Sequence, residues 1–346
     1  MNEVAATPMA GVLSLHDRKL PGLRQALDPA AVRAWLLSRV PGLADAEDTP
    51  AITLLKYTPG KRCVLAYECG GAPRRRLIGK IYRHDRGLAV FDNMSRLWQV
   101  AQRSDPPFHM PRPLVYLPEW GMVVQEAAGG IRADHLLRQQ TFAGVVQAAA
   151  RNLAALHRLE VELPRRDNLA QHLLKLCHPG WEHLLADLPE ENTRLRRIIT
   201  HLLATHPRRS LGPVHGDLTL TQIFSNAGEV SFIDFDGLCH APAALDVGNF
   251  LVALEMHLGP DSQPLRAAFL EQYDRLRPLT TLPAMAEYRA LAYLRRAMIA
   301  WRQRPRHWRQ RAQALLAAAE HALVHADDFL TTCLSQEVGN TLGEDA

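Results

Sequence analysis

A chain of 346 residues is longer than one ordinary domain and suits two lobes. Apolar residues make up 47% and charged residues 22%, globular proportions that exclude disordered and fibrous classes. The 40 Lys and Arg against 36 Asp and Glu leave a formal charge of +4, too mild and too scattered for a nucleic-acid binder. The arginine runs at Arg74 to Arg76, Arg165 to Arg166 and Arg208 to Arg209 are short and read as solvated faces. Five cysteines (Cys63, Cys69, Cys177, Cys239 and Cys333) form no CxxC pair and no secretory leader is evident, so a reduced, cytoplasmic location is expected. Every long apolar stretch is interrupted by charge, so no membrane span is expected.

The first 27 residues are weakly patterned and are expected to be peripheral, within an N-terminal extension over 1–49 that carries one helix. Asp28-Pro29 is an N-cap followed by proline at the first helical position, with Val32, Trp35, Leu36 and Val40 on one face and Pro41-Gly42 as the stop. From Ala51 the apolar period changes to two. Strands are expected over 52–57, 63–69 and 75–82, joined by the turns Thr58-Pro59-Gly60-Lys61 and Gly70-Gly71-Ala72-Pro73 as an antiparallel meander. A helix over 85–102 follows, with Leu88, Phe91, Leu97 and Trp98 apolar. A proline-rich stretch then leads to two short strands over 114–117 and 122–125, and Gly129-Gly130 breaks the chain. Beyond it the pattern is helical, with elements over 142–156, 193–205, 265–276, 284–303 and 308–329. The expected division is a sheet lobe over 50–121, a hinge over 122–128, a helical lobe over 129–335 and a disordered tail over 336–346. Helices segregated from an antiparallel sheet make the class α+β, and a cleft between two lobes is a preferred ligand site.

One polar island interrupts the helices. It reads Val214-His215-Gly216-Asp217-Leu218-Thr219-Leu220-Thr221-Gln222, and after an Asn226-Ala227-Gly228 turn it continues Ile233-Asp234-Phe235-Asp236-Gly237. The apolar pairs flanking the turn predict a tight hairpin, which would bring Gln222 and Asp234 side by side with Asp217 a few residues upstream. Phosphoryl transfer needs such a grouping. Mg²⁺ takes hard oxygen ligands, for which Asp234 and Gln222 are suited, and a separate carboxylate, Asp217, can accept the proton of an attacking hydroxyl.

His215-Gly216-Asp217 with Ile233-Asp234-Phe235-Asp236 resembles the aminoglycoside phosphotransferase and choline kinase family, which shares the protein-kinase-like two-lobed fold. Leu153-Ala154-Ala155-Leu156-His157, Leu77-Ile78-Gly79-Lys80-Ile81-Tyr82 and the segment 242–250 with Asp246 extend the similarity over roughly 50–330. The resemblance implies a small-molecule kinase: Asp217 as base, Asp234 as Mg²⁺ ligand with Gln222, and Lys80 on the nucleotide phosphates. It also implies that the turn holding Thr58 and Gly60 covers the nucleotide, while Gln125, Glu126 and Ala127 meet adenine. The nucleotide would be ATP, with GTP open; the partner would be a small-molecule hydroxyl, an aminoglycoside, sugar or amino alcohol, and the oligomeric state is open. His215 is expected to hydrogen-bond the loop backbone.

Three departures stand out. Gln222 replaces the family's usual Asn and resembles the maltokinase-like branch; Thr219 replaces its frequent His; and the 85–102 helix has no Glu to pair with Lys80, leaving Asp92 as the nearest acid. They motivate a rival reading as a pseudokinase-like nucleotide-binding regulator. A second rival makes His215, Asp217, Asp234 and Asp236 ligands of a metal-dependent phosphohydrolase, and a weaker one builds a zinc site from His172, Cys177, His178 and His183. The resemblance implies an acceptor bound on helical elements after the metal site, here the 284–309 stretch. Its Glu287, Tyr288, Tyr293, Arg295, Arg296, Trp301 and Trp308, however, read first as a packed amphipathic helix, and the acceptor itself is not read from the chain.

Overall fold

The computed structural model describes residues 16–40, 49–70, 75–176, 180–206, 211–282 and 284–326. The Pro41-Gly42 stop, Gly71-Ala72-Pro73, Cys177, His178, Cys333 and the tail over 336–346 lie outside the described residues. The chain divides into two compact units. One holds the described residues up to Arg103 with His109–Gly129 and Ser231–Asp236, and the other holds Ser104–Phe108, Gly130–Val230 and the described residues from Gly237 onward.

The first unit opens with α1 (Leu23–Ala26) and α2 (Pro29–Ala31). The Asp28 carboxylate caps α2 by accepting the Ala30 N–H at 3.0 Å, with Pro29 first in the helix. The helix expected beyond them continues as a π turn, Val32–Leu36, and a 3-10 turn, Leu37–Arg39. The expectation that the first 27 residues are peripheral is corrected for the described stretch 16–27. Leu20, Leu23, Ala26, Leu27, Val32 and Leu36 are buried and share one core with Leu65, Tyr67, Leu77 and Met122. Tyr67 also donates its hydroxyl to the Ala26 carbonyl at 3.0 Å. The turn α1 contributes only Leu23 and Ala26, too few to mark a period, whereas Val32, Leu36 and Val40 are buried along the face read from the sequence.

The sheet is formed by β1 (Ala51–Thr58), β2 (Arg62–Cys69) and β3 (Arg75–Tyr82), then, after α3 (Arg86–Ala101), by β4 (Pro113–Leu117) and β5 (Met122–Glu126). Their order is β1-β2-β3-β5-β4, antiparallel throughout. Lys80 stands on the central strand, opposite Val64 of β2 and Val123 of β5, so ladders on both sides hold its backbone. Gly79 beside it cannot carry a side chain cheaply: a Cβ there would lie 2.7 Å from the Tyr67 ring and 2.9 Å from Met122 Sδ.

The second unit begins with β6 (Ile131–Arg132), α4 (Phe142–Leu156), α5 (Leu169–Leu176), α6 (Trp181–Asp187) and α7 (Asn192–Ala204). The island follows as β7 (Gly212–Val214), β8 (Ile223–Asn226), β9 (Glu229–Phe232, whose last two residues group with the first unit) and β10 (Cys239–Ala241). Helices α8 (Ala244–Leu258), α9 (Gln263–Asp274), α10 (Met285–Gln303) and α11 (Trp308–Val324) complete it. Helix α8 is buried at every position from Ala244 to Leu254, which erases the one-sided stripe by which a surface helix is read. It packs on α10, α10 on α11, and α4 on α9. The hairpin between β8 and β9 turns through Ala227 at φ 50° and Gly228 at φ 87°, both left-handed as a type I′ turn requires. No helix among the described residues is long and apolar enough to cross a membrane.

Candidate active site

In the first unit, Lys80 Nζ donates to Asp234 Oδ1 at 2.5 Å and to Asp236 Oδ1 at 2.6 Å. Asp236 also accepts the Tyr82 hydroxyl at 2.6 Å and lies 3.6 Å from guanidinium nitrogens of Arg62 and Arg86. Burial, with the Asp236 carboxylate, raises the Tyr82 phenol well above its ordinary range, so it remains a donor. The counter-charge for Lys80 therefore comes from Asp234 and Asp236, while Asp92 lies exposed on α3. Asp234 sits at φ 69°, a left-handed conformation that tilts its side chain out of the extended chain direction and is tolerated best by short polar residues.

The turn after β1 is held from outside the motif. Asp17 accepts the Gly60 N–H at 2.6 Å, the Tyr57 hydroxyl at 3.0 Å and the Lys19 N–H at 2.9 Å. The backbone hydrogen bond from Gly60 leads the interactions that draw the Asp17 carboxyl below its usual range. Thr58 closes the same turn by accepting the Lys61 N–H at 3.0 Å. At the end of β5, Gln125 is paired with Ile78, Glu126 donates its N–H to the Arg112 carbonyl at 2.9 Å, and Ala127 donates to Arg76 at 3.1 Å. The three residues thus continue the sheet ladder.

In the second unit the His215-Gly216-Asp217 loop is suspended from one buried carboxylate. Asp246 of α8 accepts the N–H of His215 at 2.6 Å and of Gly216 at 2.8 Å, and His157 Nε2 lies 3.1 Å away. The other nitrogen of His157 is 2.7 Å from the Tyr273 hydroxyl. Burial opposes ionisation of Asp246, yet these hydrogen bonds and the neighbouring histidines hold its carboxyl below the ordinary range. Gly216 has φ +84°, and a Cβ there would meet the Gly237 carbonyl at 2.6 Å, so the loop needs glycine at this position. His215 Nδ1 accepts the Asp217 N–H at 3.4 Å, the backbone role read from the sequence.

Asp217 presents a half-buried carboxylate whose Oδ1 is taken by Arg295 Nη1 of α10. Gln222 uses its amide oxygen in a capping box, accepting the Thr219 N–H at 2.9 Å and the Thr219 hydroxyl. The remaining α10 side chains largely pack: Tyr288 and Tyr293 are buried, Glu287 meets His201 at 3.1 Å, and Trp301 donates to Asp187 at 2.7 Å. Four contributors escaped the sequence reading as partners: Asp17, Asp236 as the second acid on Lys80, His157 as the partner of Asp246, and Arg295. The His157 motif and Asp246 were visible as segments, but nothing in the spacing joined them.

Asp167, His172 and Cys239 lie within 4.8 Å of one another and are buried. Protein cations already meet this charge, since Lys175 donates to Asp167 at 2.6 Å and Arg165 lies 3.1 Å from it, while burial pushes the Cys239 thiol up to about 11. His183, offered with His172 for zinc, instead stacks on Trp301 at 6.1 Å.

A lysine on the central strand of a small antiparallel sheet, paired with two aspartates, and a His-Gly-Asp loop hung from a buried helical carboxylate define a protein-kinase-like α+β chain with two lobes. The model of the Phosphotransferase enzyme family matches residues 64–291, and the chain belongs to that family. Its fold is similar to that of a choline/ethanolamine kinase family protein from Mesorhizobium loti, at 16% identity over 85% of this chain and 94% of that one, with a TM-score of 0.54. It is also similar to choline kinase from Cryptosporidium parvum Iowa II, at 12% identity, 87% and 97% coverage and a TM-score of 0.60. A third similar structure is the amicoumacin kinase hAmiN in complex with AMP-PNP, Ca²⁺ and Ami, at 14% identity, 78% and 88% coverage and a TM-score of 0.58. No curated protein matches the chain.

Proposed function

We propose that this protein transfers the γ-phosphate of Mg-ATP to a hydroxyl of a small molecule. The observation that carries the reading is the meeting of Lys80 with Asp234 and Asp236. Such a lysine satisfies its charge on carboxylates until phosphates offer a stronger partner, and the carboxylates are then released for a cation. The donor chemistry fits: Asp234 and Asp236 offer the hard oxygens a Mg²⁺ ion takes, and Gln222 would join by turning its amide oxygen away from Thr219. When bound, Mg²⁺ supplies positive charge that offsets the phosphates.

In this reading Asp217 accepts the proton of the acceptor hydroxyl, a contribution of about 10²- to 10⁴-fold. Lys80 holds the α and β phosphates, the turn with Thr58 and Gly60 covers them, and Gln125, Glu126 and Ala127 meet the base of ATP or GTP. Membership of the phosphotransferase family supports the reaction class, and the amicoumacin kinase bound to AMP-PNP and Ca²⁺ supports nucleotide and divalent-cation use.

The test is a product screen with γ-labelled ATP or GTP, Mg²⁺ and a panel of aminoglycosides, sugars, amino alcohols and hydroxy acids. Labelled product that disappears with EDTA is expected. A second reading, a nucleotide-binding regulator with little transfer, draws on the Arg295 contact that occupies Asp217. Tight Mg-ATP binding without product from any acceptor would favour it.

A further inference from the structure

We propose that the hydroxyl acceptor carries an anionic group, a carboxylate or a phosphate, recognised by Arg295 and Arg296 of α10. The inference rests on the phosphotransfer reading and names the acceptor class of the same site. Arg295, only 17% exposed at its side chain, places Nη1 on Asp217 Oδ1. Arg296 follows on the next helical position, and its buried Nε has no hydrogen-bond partner among the described residues. Burial and the neighbouring Arg295 charge pull the Arg296 guanidinium down to about 10, so this corner holds more positive charge than it comfortably accommodates. Asp217 pairs with Arg295, and its charge also acts on Arg296, which feels Arg311 as a further cation. The other acids of this region are engaged elsewhere: Glu255 by Arg266 at 2.7 Å and Arg289 at 3.9 Å, and Glu287 by His201.

A buried guanidinium without a full set of acceptors calls for an anion. A cationic acceptor would add a third positive charge at the base. Cation recognition uses carboxylates or open aromatic faces, and the tyrosines of α10 are buried in packing. An anionic acceptor instead matches the planar fork of arginine through two parallel hydrogen bonds. It also draws Arg295 away from Asp217 Oδ1, and that oxygen can then take the hydroxyl proton. The acceptor O–H bond breaks toward Asp217 as its oxygen bonds the γ-phosphorus, and the bond from that phosphorus to the β-γ bridging oxygen breaks to release ADP. Acceptor charge thereby unlocks the base.

The experiment compares kcat/KM with Mg-ATP for matched acceptors: gluconate, glucose 1-phosphate, uncharged glucitol and cationic choline and kanamycin. An anionic acceptor should exceed its uncharged counterpart by about 10- to 100-fold, with the gluconate and glucose 1-phosphate arms separating carboxylate from phosphate. Arg295→Gln should erase that ratio chiefly through KM, Arg295→Lys should restore part of it, and AMP-PNP binding should be retained in both as the check on folding. Independently of any variant, a carboxylate or phosphate lacking a hydroxyl should compete with the acceptor and not with ATP. Best turnover of choline, kanamycin or glucitol overturns this inference alone. Arg295→Gln with an unchanged anion-to-neutral ratio also overturns it, and absence of transfer to every acceptor overturns it together with the phosphotransfer reading.

Discussion

Asp246 Oδ2 accepts the backbone N–H of His215 at 2.6 Å, so a carboxylate buried in α8 holds the loop that presents Asp217. Removing it leaves two buried N–H groups and His157 without their acceptor. Asp246→Ala should lose about 3–5 kcal/mol of stability in urea unfolding, the usual cost of stripping one partner from a buried charged network. Asp246→Asn keeps one acceptor oxygen and should lose less.

The two island aspartates should fail in different ways. Asp217→Ala is expected to abolish transfer while leaving AMP-PNP affinity within a few-fold of the parent by calorimetry. Asp234→Ala should weaken Mg-dependent nucleotide use, read as a raised Mg²⁺ requirement in the same assay. Near-parental transfer by Asp217→Ala would remove that residue from the role of base.

Lys80 separates two acids that otherwise repel. Lys80→Met should lower AMP-PNP affinity by about tenfold or more and should also reduce stability at low salt, because Asp234 and Asp236 then face each other without their shared cation. Added salt should recover part of the stability by screening. Calorimetry and thermal melts at two ionic strengths measure the two effects separately.

His172 predicts an acid limb in stability. Burial, reinforced by the Arg165 and Lys175 charges and opposed by Asp167, lowers its pKa to about 4 from 6.5. The unfolded chain therefore binds the proton that the folded protein refuses. The contribution is complete above about pH 6.5 and is lost as pH falls from there toward 4, to the order of 3 kcal/mol. Urea midpoints between pH 4 and 7.5 should show the decline, and His172→Gln should flatten it. Some slope should persist, because burial also lowers the pKa of His157.

Local chemistry made much of the fold legible. The period-two runs of β1 to β3, the Asn226-Ala227-Gly228 turn and the stripe of α4 each appear where side-chain alternation and turn residues placed them. The burial of Leu20, Leu23, Ala26 and Leu27 and the wholly buried α8 were not legible, because burial in fragments or on all sides leaves no period.

Sequence alone determined which chemical groups this protein carries and the loops that bear them: Lys80 on the third strand, Asp217 after His-Gly, and Asp234 after the hairpin. Tertiary structure decided their partners. Asp236 rather than Asp92 joins Asp234 on Lys80, Asp17 takes the Gly60 N–H, Gln222 turns onto Thr219, and Arg295 reaches Asp217 from 78 residues away. Spacing along a chain specifies neighbours only within a turn, a hairpin or a helical face. Charge pairing across long loops depends on where packing delivers each side chain, and packing is a property of the folded whole.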